Sequence, residues 1–250
     1  MYNFDEYENP QLYDIENQCE EEIDLILKWY GDSKDTILDL CCGTGRVTIP
    51  LAKKGINTIG VDIHKGMLEH AISKSKNLNL NIQWIDEDCR NLHLNEKVSM
   101  AVMAGNSFQH FLTNEDQEAF LKSTNKLLKS EGIFIFDTRF PSVEELLQPP
   151  VEEYYKTFLD SHGRQCDVSY FSTYNSLTQI QHYITTREFE NPDSTTEKLT
   201  SNIYLRYTFP QEMKRLLTLC GFQIIEIYSD WKETILDSNS YSMIYVCKKV

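Results

Sequence analysis

The chain has 250 residues, of which 41% are hydrophobic and 25% are charged, as is typical of a folded globular protein. This length suits one large α/β domain, which we expect over residues 1–250. No apolar run approaches the ~20 residues needed to span a bilayer, so we predict no membrane insertion. Twenty-four basic and 38 acidic residues give a formal net charge of −14. This charge would repel a phosphate backbone, so we predict no nucleic-acid partner.

The amino terminus and the cysteines indicate a cellular compartment. The first ten residues, MYNFDEYENP, lack the basic head and apolar core of a secretory signal, and we therefore expect a cytoplasmic protein. The seven cysteines are an odd number and show no CxxC spacing. This usage is typical of reduced thiols, so we expect neither disulfides nor a metal site.

The first 35 residues are predicted to form a cap segment followed by a helix. Residues 1–16 are acidic and aromatic without strand or helix periodicity, so we expect them to lie irregularly over the core. From Asn17 onward a surface helix is predicted, because apolar residues recur at helical spacing before a glycine C-cap: Ile23, Ile26, Leu27, Tyr30 and Gly31.

Five strand-like runs follow, most of them separated by helical patterns, at residues 36–40, 57–62, 82–85, 98–104 and 133–137. Alternation of this kind predicts an α/β fold with a doubly wound, mostly parallel sheet. The clearest intervening helix spans residues 114–128, where Asn114 and Gln117 have the spacing of a capping box.

The pattern changes between residues 142 and 208. Period-two segments at 166–174, 178–190 and 199–207 predict an inserted antiparallel β structure. Helical spacing returns at residues 213–220, and the runs 222–228 and 241–246 are predicted to be the last two strands. The insertion therefore interrupts a sheet that is completed after it.

Residues 36–46, TILDLCCGTGR, are the motif on which the rest depends. An apolar run ends at a carboxylate and turns through Gly43 and Gly45 into a helical pattern, which predicts a strand, a tight turn and a helix start. The glycines let a ligand lie against the backbone, and the helix start offers unpaired N–H groups. A nucleotide-like ligand is predicted here.

Asp39 followed by Gly43 and Gly45 resembles the first motif of the class I S-adenosylmethionine-dependent methyltransferases, in which an acidic residue precedes three alternating glycines. Cys41 stands where the family has its first glycine. The resemblance covers roughly residues 36–140 and 209–247. It implies a Rossmann-like seven-stranded sheet whose last strand is antiparallel, an insertion (142–208) that serves as a substrate-binding lid, and S-adenosylmethionine as cofactor, with S-adenosylhomocysteine as its product.

Several residues are predicted to hold this donor. Asp62 ends the second strand 17 residues after Gly45, where an acidic side chain meets ribose hydroxyls, although it alternatively caps the next helix. The resemblance places Asp88 against the adenine amino group, unless it is a solvated turn residue. The family pattern implies further donor contacts from Ile63, Met67, Cys89, Ala104 and Gly105, although Met67 is alternatively a core residue. Arg46 is a candidate to pair with the donor carboxylate, or alternatively forms a salt bridge at the helix start.

The segment after the fourth strand, residues 104–111, resembles the family's segment beside the transferred methyl group. On that match His110 faces the acceptor and is the candidate general base, with an ordinary pKa of about 6.5. Tyr13 and Phe108 are candidates to present aromatic faces to the sulfonium cation. Arg139, just past the fifth strand, is predicted to orient an anionic acceptor.

The predicted function is methyl transfer to a nitrogen or oxygen of a small-molecule acceptor, by a monomer or homodimer. The DPPY or NPPY tetrad of amino-methylating DNA enzymes is absent at residues 106–109, which together with the charge favours a small metabolite. One alternative is an NAD(P)-dependent oxidoreductase, although Thr48 replaces its third glycine or alanine. The other is a non-catalytic S-adenosylmethionine-binding sensor.

Overall fold

The computed structural model describes residues 3–149 and 151–250, which form two β-sheets with surrounding helices. The chain runs first through β1 (Ile37–Leu40), β2 (Thr58–Asp62), β3 (Gln83–Asp86), β4 (Val98–Met103) and β5 (Leu128–Arg139). It continues through β6 (Glu153–Leu159), β7 (Gln165–Asn175), β8 (Ile180–Glu190), β9 (Thr196–Arg206), β10 (Phe222–Tyr228) and β11 (Ser242–Lys249). The helices are α1 (Pro10–Glu16), α2 (Glu22–Tyr30), α3 (Thr48–Lys53), α4 (Lys65–Asn77), α5 (Asn114–Leu127), α6 (Val143–Leu146) and α7 (Pro210–Leu219).

The larger sheet has seven strands in the order β10-β11-β5-β4-β1-β2-β3. The pairs among β1 to β5 are all parallel, and β11 is antiparallel to both β5 and β10. This confirms the predicted doubly wound, mostly parallel sheet with an antiparallel last strand. The strand order reverses between β1 and β4, and ligands bind at such a switch point beyond the carboxyl ends of the strands.

Continuous apolar runs build the centre of this sheet because helices cover both of its faces. All four residues of β1 are buried. On one face, the rings of Phe134, Phe136 and Tyr245 stack in a row, with centroids 4.8 Å and 5.2 Å apart. This row of rings joins β5 to β11, its antiparallel neighbour in the sheet.

The smaller sheet is an antiparallel meander, β6-β7-β8-β9, formed by the insertion. Three of its strands match the predicted segments, but β6 was missed. Its burial pattern alternates weakly, with Tyr154 and Tyr155 both exposed, and an edge strand with so little burial gives a poor periodic signal.

The prediction of an irregular amino-terminal segment was wrong in part. Residues 5–7 form a 3₁₀ turn and α1 follows at Pro10. Asn9 caps α1 by accepting from the Leu12 N–H at 3.0 Å, and proline is favoured at the first helical position. Leu12 is the one buried residue of α1, so the helix has no apolar stripe to reveal it.

One helix start and one helix cap also differ from prediction. Helix α2 begins at Glu22 rather than Asn17, although it ends at the predicted Gly31 cap. Helix α5 is capped by Thr113, whose hydroxyl accepts from the Asp116 N–H. Gln117, expected in a capping box, is buried instead, and its amide donates to Thr208 at 2.9 Å.

Candidate functional site

The turn after β1 takes left-handed backbone conformations at all three positions where the family alternates glycines. Cys41 has φ +57°, Gly43 +54° and Gly45 +80°. A Cβ at Gly45 would lie 2.8 Å from Cη2 of Trp84, a distance at which the ring would have to shift. Glycine is therefore required at 45 for two reasons, whereas Cys41 carries a side chain in a strained conformation.

Replacing Cys41 with glycine is expected to stabilise the protein by up to about 1 kcal/mol, because relief of the left-handed strain exceeds glycine's entropic cost. Replacing it with the β-branched valine should destabilise the protein, since valine tolerates positive φ least. Urea unfolding of both variants checks this prediction. Equal shifts of the same sign would contradict it.

Two buried carboxylates accept hydrogen bonds that fix the turn and the helix after it. Asp39, 2% exposed, accepts from the Thr48 hydroxyl at the start of α3. Asp62 accepts from the backbone N–H groups of Gly43 and His64, each at 2.7 Å. Asp39 therefore fixes α3 against β1, while Asp62 joins the end of β2 to the first turn. The helix-cap interpretation of Asp62 is wrong, because His64 caps α4 by accepting from the Met67 N–H at 3.2 Å, and the ligand-site interpretation stays a prediction.

Burial raises the pKa of Asp39 from 3.8 to about 7, which predicts a pH-dependent stability. Folded Asp39 keeps its proton up to about pH 7, whereas the unfolded chain releases it near pH 4. The stabilisation from this group is full below pH 4 and is lost as pH rises through 7, by up to about 4 kcal/mol. Urea unfolding should show that the free energy of unfolding falls less between pH 5 and 8 in Asp39→Asn than in the wild type. An unchanged fall would contradict the prediction.

Residues after β3 approach the same turn. Asp88 accepts from the Arg90 N–H at 2.9 Å and pairs with its guanidinium, which also contacts Asp116. The Arg90 interactions hold the pKa of Asp88 below its usual value despite partial burial. Cys89 is buried, with its Sγ 3.9 Å from Sγ of Cys41. The ends of β1, β2 and β3 thus meet along one edge.

Three other predicted donor contacts lie around this edge. Met67 is buried beneath the turn, with Cε 3.4 Å from the position of a Cβ on Gly43. Ile63 is half-buried just past β2. Ala104 follows β4 and accepts from the Ser107 hydroxyl at 2.8 Å.

Residues 3–16, here called the N-terminal strap, lie across the edge of the large sheet. Asp14 binds the strap down by accepting from the Thr44 hydroxyl, from His70 at 3.0 Å and from Lys74 at 2.6 Å. Phe4 packs edge-on against His64 with ring centroids 5.0 Å apart. The strap therefore covers the region of Asp62 and the first turn.

A cavity of about 950 Å³ lies between the strap, the ends of β4 and β5, and the inner face of the small sheet. Five of the predicted site residues line it: Tyr13, Arg46, Gly105, His110 and Arg139. Asp39, Asp62 and Asp88 are not among its lining residues. The predicted site therefore has two neighbouring parts, the edge over β1 to β3 and the cavity beside it.

Phe108 does not belong to either part, and its predicted contact with the sulfonium is wrong. It is fully buried, with its ring 5.3 Å from that of Phe136 and 5.9 Å from that of Phe111. Its aromatic character reflects core packing, which the sequence spacing did not distinguish from a ligand contact.

The ordinary pKa expected for His110 is also wrong. Burial lowers its pKa to about 4, so the ring is neutral near pH 7. Its Nε2 lies 2.8 Å from the hydroxyl oxygen of Tyr7, a strap residue, and its Nδ1 lies 3.4 Å from the Asn3 amide. His110 is therefore a weakly basic ring that connects the strap to the segment after β4.

The cavity wall carries ion pairs that no sequence motif indicated. Arg46 pairs with Glu22 at 2.6 Å and donates to the Cys19 carbonyl at 2.6 Å. Arg139 pairs with Glu145 at 3.1 Å and donates to the Tyr183 hydroxyl at 3.0 Å. Arg46 is thus oriented by a carboxylate of α2, and Arg139 by one that lies six positions later in the chain. Neither spacing belongs to a motif that the sequence would reveal.

Asp137, at the end of β5, was also missed. Its Oδ1 accepts from the Asn106 N–H at 2.8 Å, and it lines the cavity. Its pKa is raised to about 7, chiefly by burial; the charge of Glu22 adds to this rise, whereas the Asn106 N–H and Arg46 oppose it. The signal available in the sequence was its position, a carboxylate two residues before Arg139 at a strand end.

In the part of the chain that the structure describes, every helix is too short or too polar to cross a membrane.

Comparison with known proteins gives consistent matches. Residues 37–132 match the model of a family described as a methyltransferase domain. The chain is 28% identical over 235 residues to the putative methyltransferase YqeM of Bacillus subtilis, covering 89% of this chain and 88% of that protein. It is 27% identical over 231 residues to a glycine/sarcosine N-methyltransferase of Aphanothece halophytica, covering 89% and 78%.

A solved structure of an S-adenosylmethionine-dependent methyltransferase from Clostridium acetobutylicum has the same fold, with a TM-score of 0.81 at 20% identity over 95% of this chain and 96% of that one. The seven-stranded sheet is therefore Rossmann-like. The chain is therefore similar to methyltransferases along most of its length, with a matched methyltransferase domain at residues 37–132 and the fold of an S-adenosylmethionine-dependent methyltransferase.

Proposed function

We propose that this protein transfers the methyl group of S-adenosylmethionine to a nitrogen or oxygen of a small-molecule acceptor. The observation that carries the proposal is the cavity of about 950 Å³ between the strap, the sheet edge and the inserted sheet. A cavity of this size, with tyrosines and a few charged groups on its wall, suits a small molecule.

The donor is expected to lie along the sheet edge with its methionine end toward the cavity. Asp62 would accept from the ribose hydroxyls and Asp88 from the adenine amino group. The adenosyl group would rest against the backbone of the turn in which Gly43 and Gly45 have left-handed conformations. When bound, S-adenosylmethionine supplies a methyl group on a positively charged sulfur, which needs no further activation.

The chain's own part in the reaction is alignment and exclusion of water. The strap and the inserted sheet enclose the cavity, and orienting two reactants in such a site lowers a barrier by roughly 7 kcal/mol or more. His110, being neutral, would accept a hydrogen bond from the acceptor or position it through Tyr7, and Arg139 with Tyr183 would hold a polar substituent.

His110→Ala is expected to lower kcat/KM about tenfold to a hundredfold, the effect of losing a well-placed hydrogen bond. Because the pKa of His110 is about 4, its titration should not affect activity near pH 6.5. The pH profiles of the wild type and the variant should therefore have the same shape in that range. Steady-state methyl transfer between pH 5 and 9 measures both. Unchanged turnover at every pH would remove His110 from the proposed site.

A nitrogen acceptor is favoured by the charges on the wall. Its four Lys and Arg side chains are all paired, Arg46 with Glu22, Arg139 with Glu145, and Arg187 and Lys156 with Glu16. Acidic residues on the wall outnumber these four: Asp5, Glu6, Glu8, Glu16, Glu22, Asp137 and Glu145. Such a wall attracts an amine more than an anion, and one relative is a glycine/sarcosine N-methyltransferase.

Incubation with methyl-labelled S-adenosylmethionine and a metabolite extract tests the proposal. Transfer of label into a small molecule, absent with heat-denatured protein, is the expected result. Donor binding without transfer into any fraction would favour the sensor alternative. The oxidoreductase alternative lacks support, since the matched family is a methyltransferase domain.

A further inference from the structure

Glu22 is a buried carboxylate with one unused oxygen. Glu22 is the first residue of α2, and only 4% of its surface is exposed. Its Oε1 pairs with Arg46, but its Oε2 is buried with no hydrogen-bond partner among the described residues. Leaving such an acceptor unsatisfied is costly. Because Glu22 lines the cavity, a ligand is the natural source of the missing donor.

Asp137 adds a second carboxylate to the same part of the wall. It is 6% exposed, its Oδ1 is taken by the Asn106 N–H, and no described side chain donates to it. Glu22, Arg46 and Asp137 line the same cavity, and the charges of Glu22 and Arg46 both act on the pKa of Asp137. Two carboxylates therefore share one guanidinium, which leaves them one cation short.

Arg46 indicates which kind of ligand would supply the missing positive charge. Its Nη2 lies 3.6 Å from the position of a Cβ on Gly105, so the guanidinium covers the backbone just after β4. A guanidinium beside two carboxylates is complementary to a zwitterion, since each ligand charge meets its opposite. The donor named in the proposed function carries such a group, the α-amino acid at its methionine end.

We infer that Glu22 and Asp137 bind the α-ammonium group of the donor, while Arg46 binds its α-carboxylate. This inference rests on the proposed function and assigns a role to two residues outside the motifs. The subsite recognises the amino-acid end alone, so it should not affect ligands that lack this end.

Calorimetric titration of the wild type and Glu22→Gln with three ligands tests the assignment. S-adenosylhomocysteine has both charges, decarboxylated S-adenosylmethionine has only the ammonium on its side chain, and 5′-methylthioadenosine has neither. Glu22→Gln should weaken the first two about tenfold to a hundredfold, as expected for losing a charged hydrogen bond. Binding of 5′-methylthioadenosine should stay within about twofold, which also shows that the variant is folded.

Further variants test the contribution of each charged side chain separately. Glu21→Gln changes the preceding residue, whose carboxylate pairs with exposed Lys232, and should bind all three ligands as the wild type does. Asp137→Asn should resemble Glu22→Gln, and Arg46→Gln should weaken S-adenosylhomocysteine more than the decarboxylated donor.

The inference is overturned if Glu22→Gln weakens all three ligands equally, or if it binds S-adenosylhomocysteine normally and loses affinity only for the methyl acceptor. Failure of the wild type to bind any of the three would instead overturn the proposed function.

Discussion

Asp62→Ala should weaken S-adenosylhomocysteine binding about a hundredfold or more. The carboxylate accepts from the N–H groups of Gly43 and His64, so its loss would release the turn as well as remove the expected ribose contact. Two charge-assisted hydrogen bonds at about 1.5–3 kcal/mol each account for an effect of this size. Calorimetric titration at fixed pH measures it directly.

Asp86→Ala is the matched control. Asp86 pairs in register with Asp62 on the neighbouring strand β3 but is exposed, so its removal should change affinity less than about threefold. Equal losses in the two variants would show a general effect of charge at this edge. Unchanged binding in Asp62→Ala would remove the ribose contact from the proposed site.

Arg187→Met should lower the free energy of unfolding by about 3–5 kcal/mol, the usual result of breaking a buried ion pair. Arg187 lies on β8, is 7% exposed and pairs with Glu6 at 2.7 Å and with Glu16. Both partners are half-buried strap residues, so the variant would leave two uncompensated carboxylates. Urea unfolding measures the loss, and early cleavage within residues 3–16 by a protease should accompany it.

Lys198→Met provides the comparison, because Lys198 forms an exposed pair with Glu188 in the same sheet. Its loss should cost less than about 1 kcal/mol. Similar unfolding midpoints for Arg187→Met and the wild type would show that Arg187 does not secure the strap to the inserted sheet.

Much of the fold was predictable because its signals are local. Buried parallel strands such as β1 are short apolar runs, and Gly31 ends α2 as predicted. The glycines at 43 and 45 indicated a left-handed turn, and the structure has one. Each of these features depends on a few neighbouring residues, whose chemistry is visible in one sequence.

The cavity wall was harder to predict because its contacts join distant residues. Glu16 and Arg187 are 171 positions apart, and neither lies in a motif. Glu22 looks like an ordinary polar residue of an amphipathic helix until the fold buries it against Arg46. Phe108 shows the opposite error, since an aromatic residue near a site was assigned to the ligand although the core needs it.

The central claim is that the turn after β1 and the carboxylates on the next two strand ends bind an adenosyl group. Parallel titration of the wild-type protein with S-adenosylhomocysteine and with NAD tests it most directly. The predicted result is saturable one-to-one binding of S-adenosylhomocysteine and no detectable binding of NAD. Absence of heat and of any thermal shift with S-adenosylhomocysteine would contradict the claim, as would tighter binding of NAD.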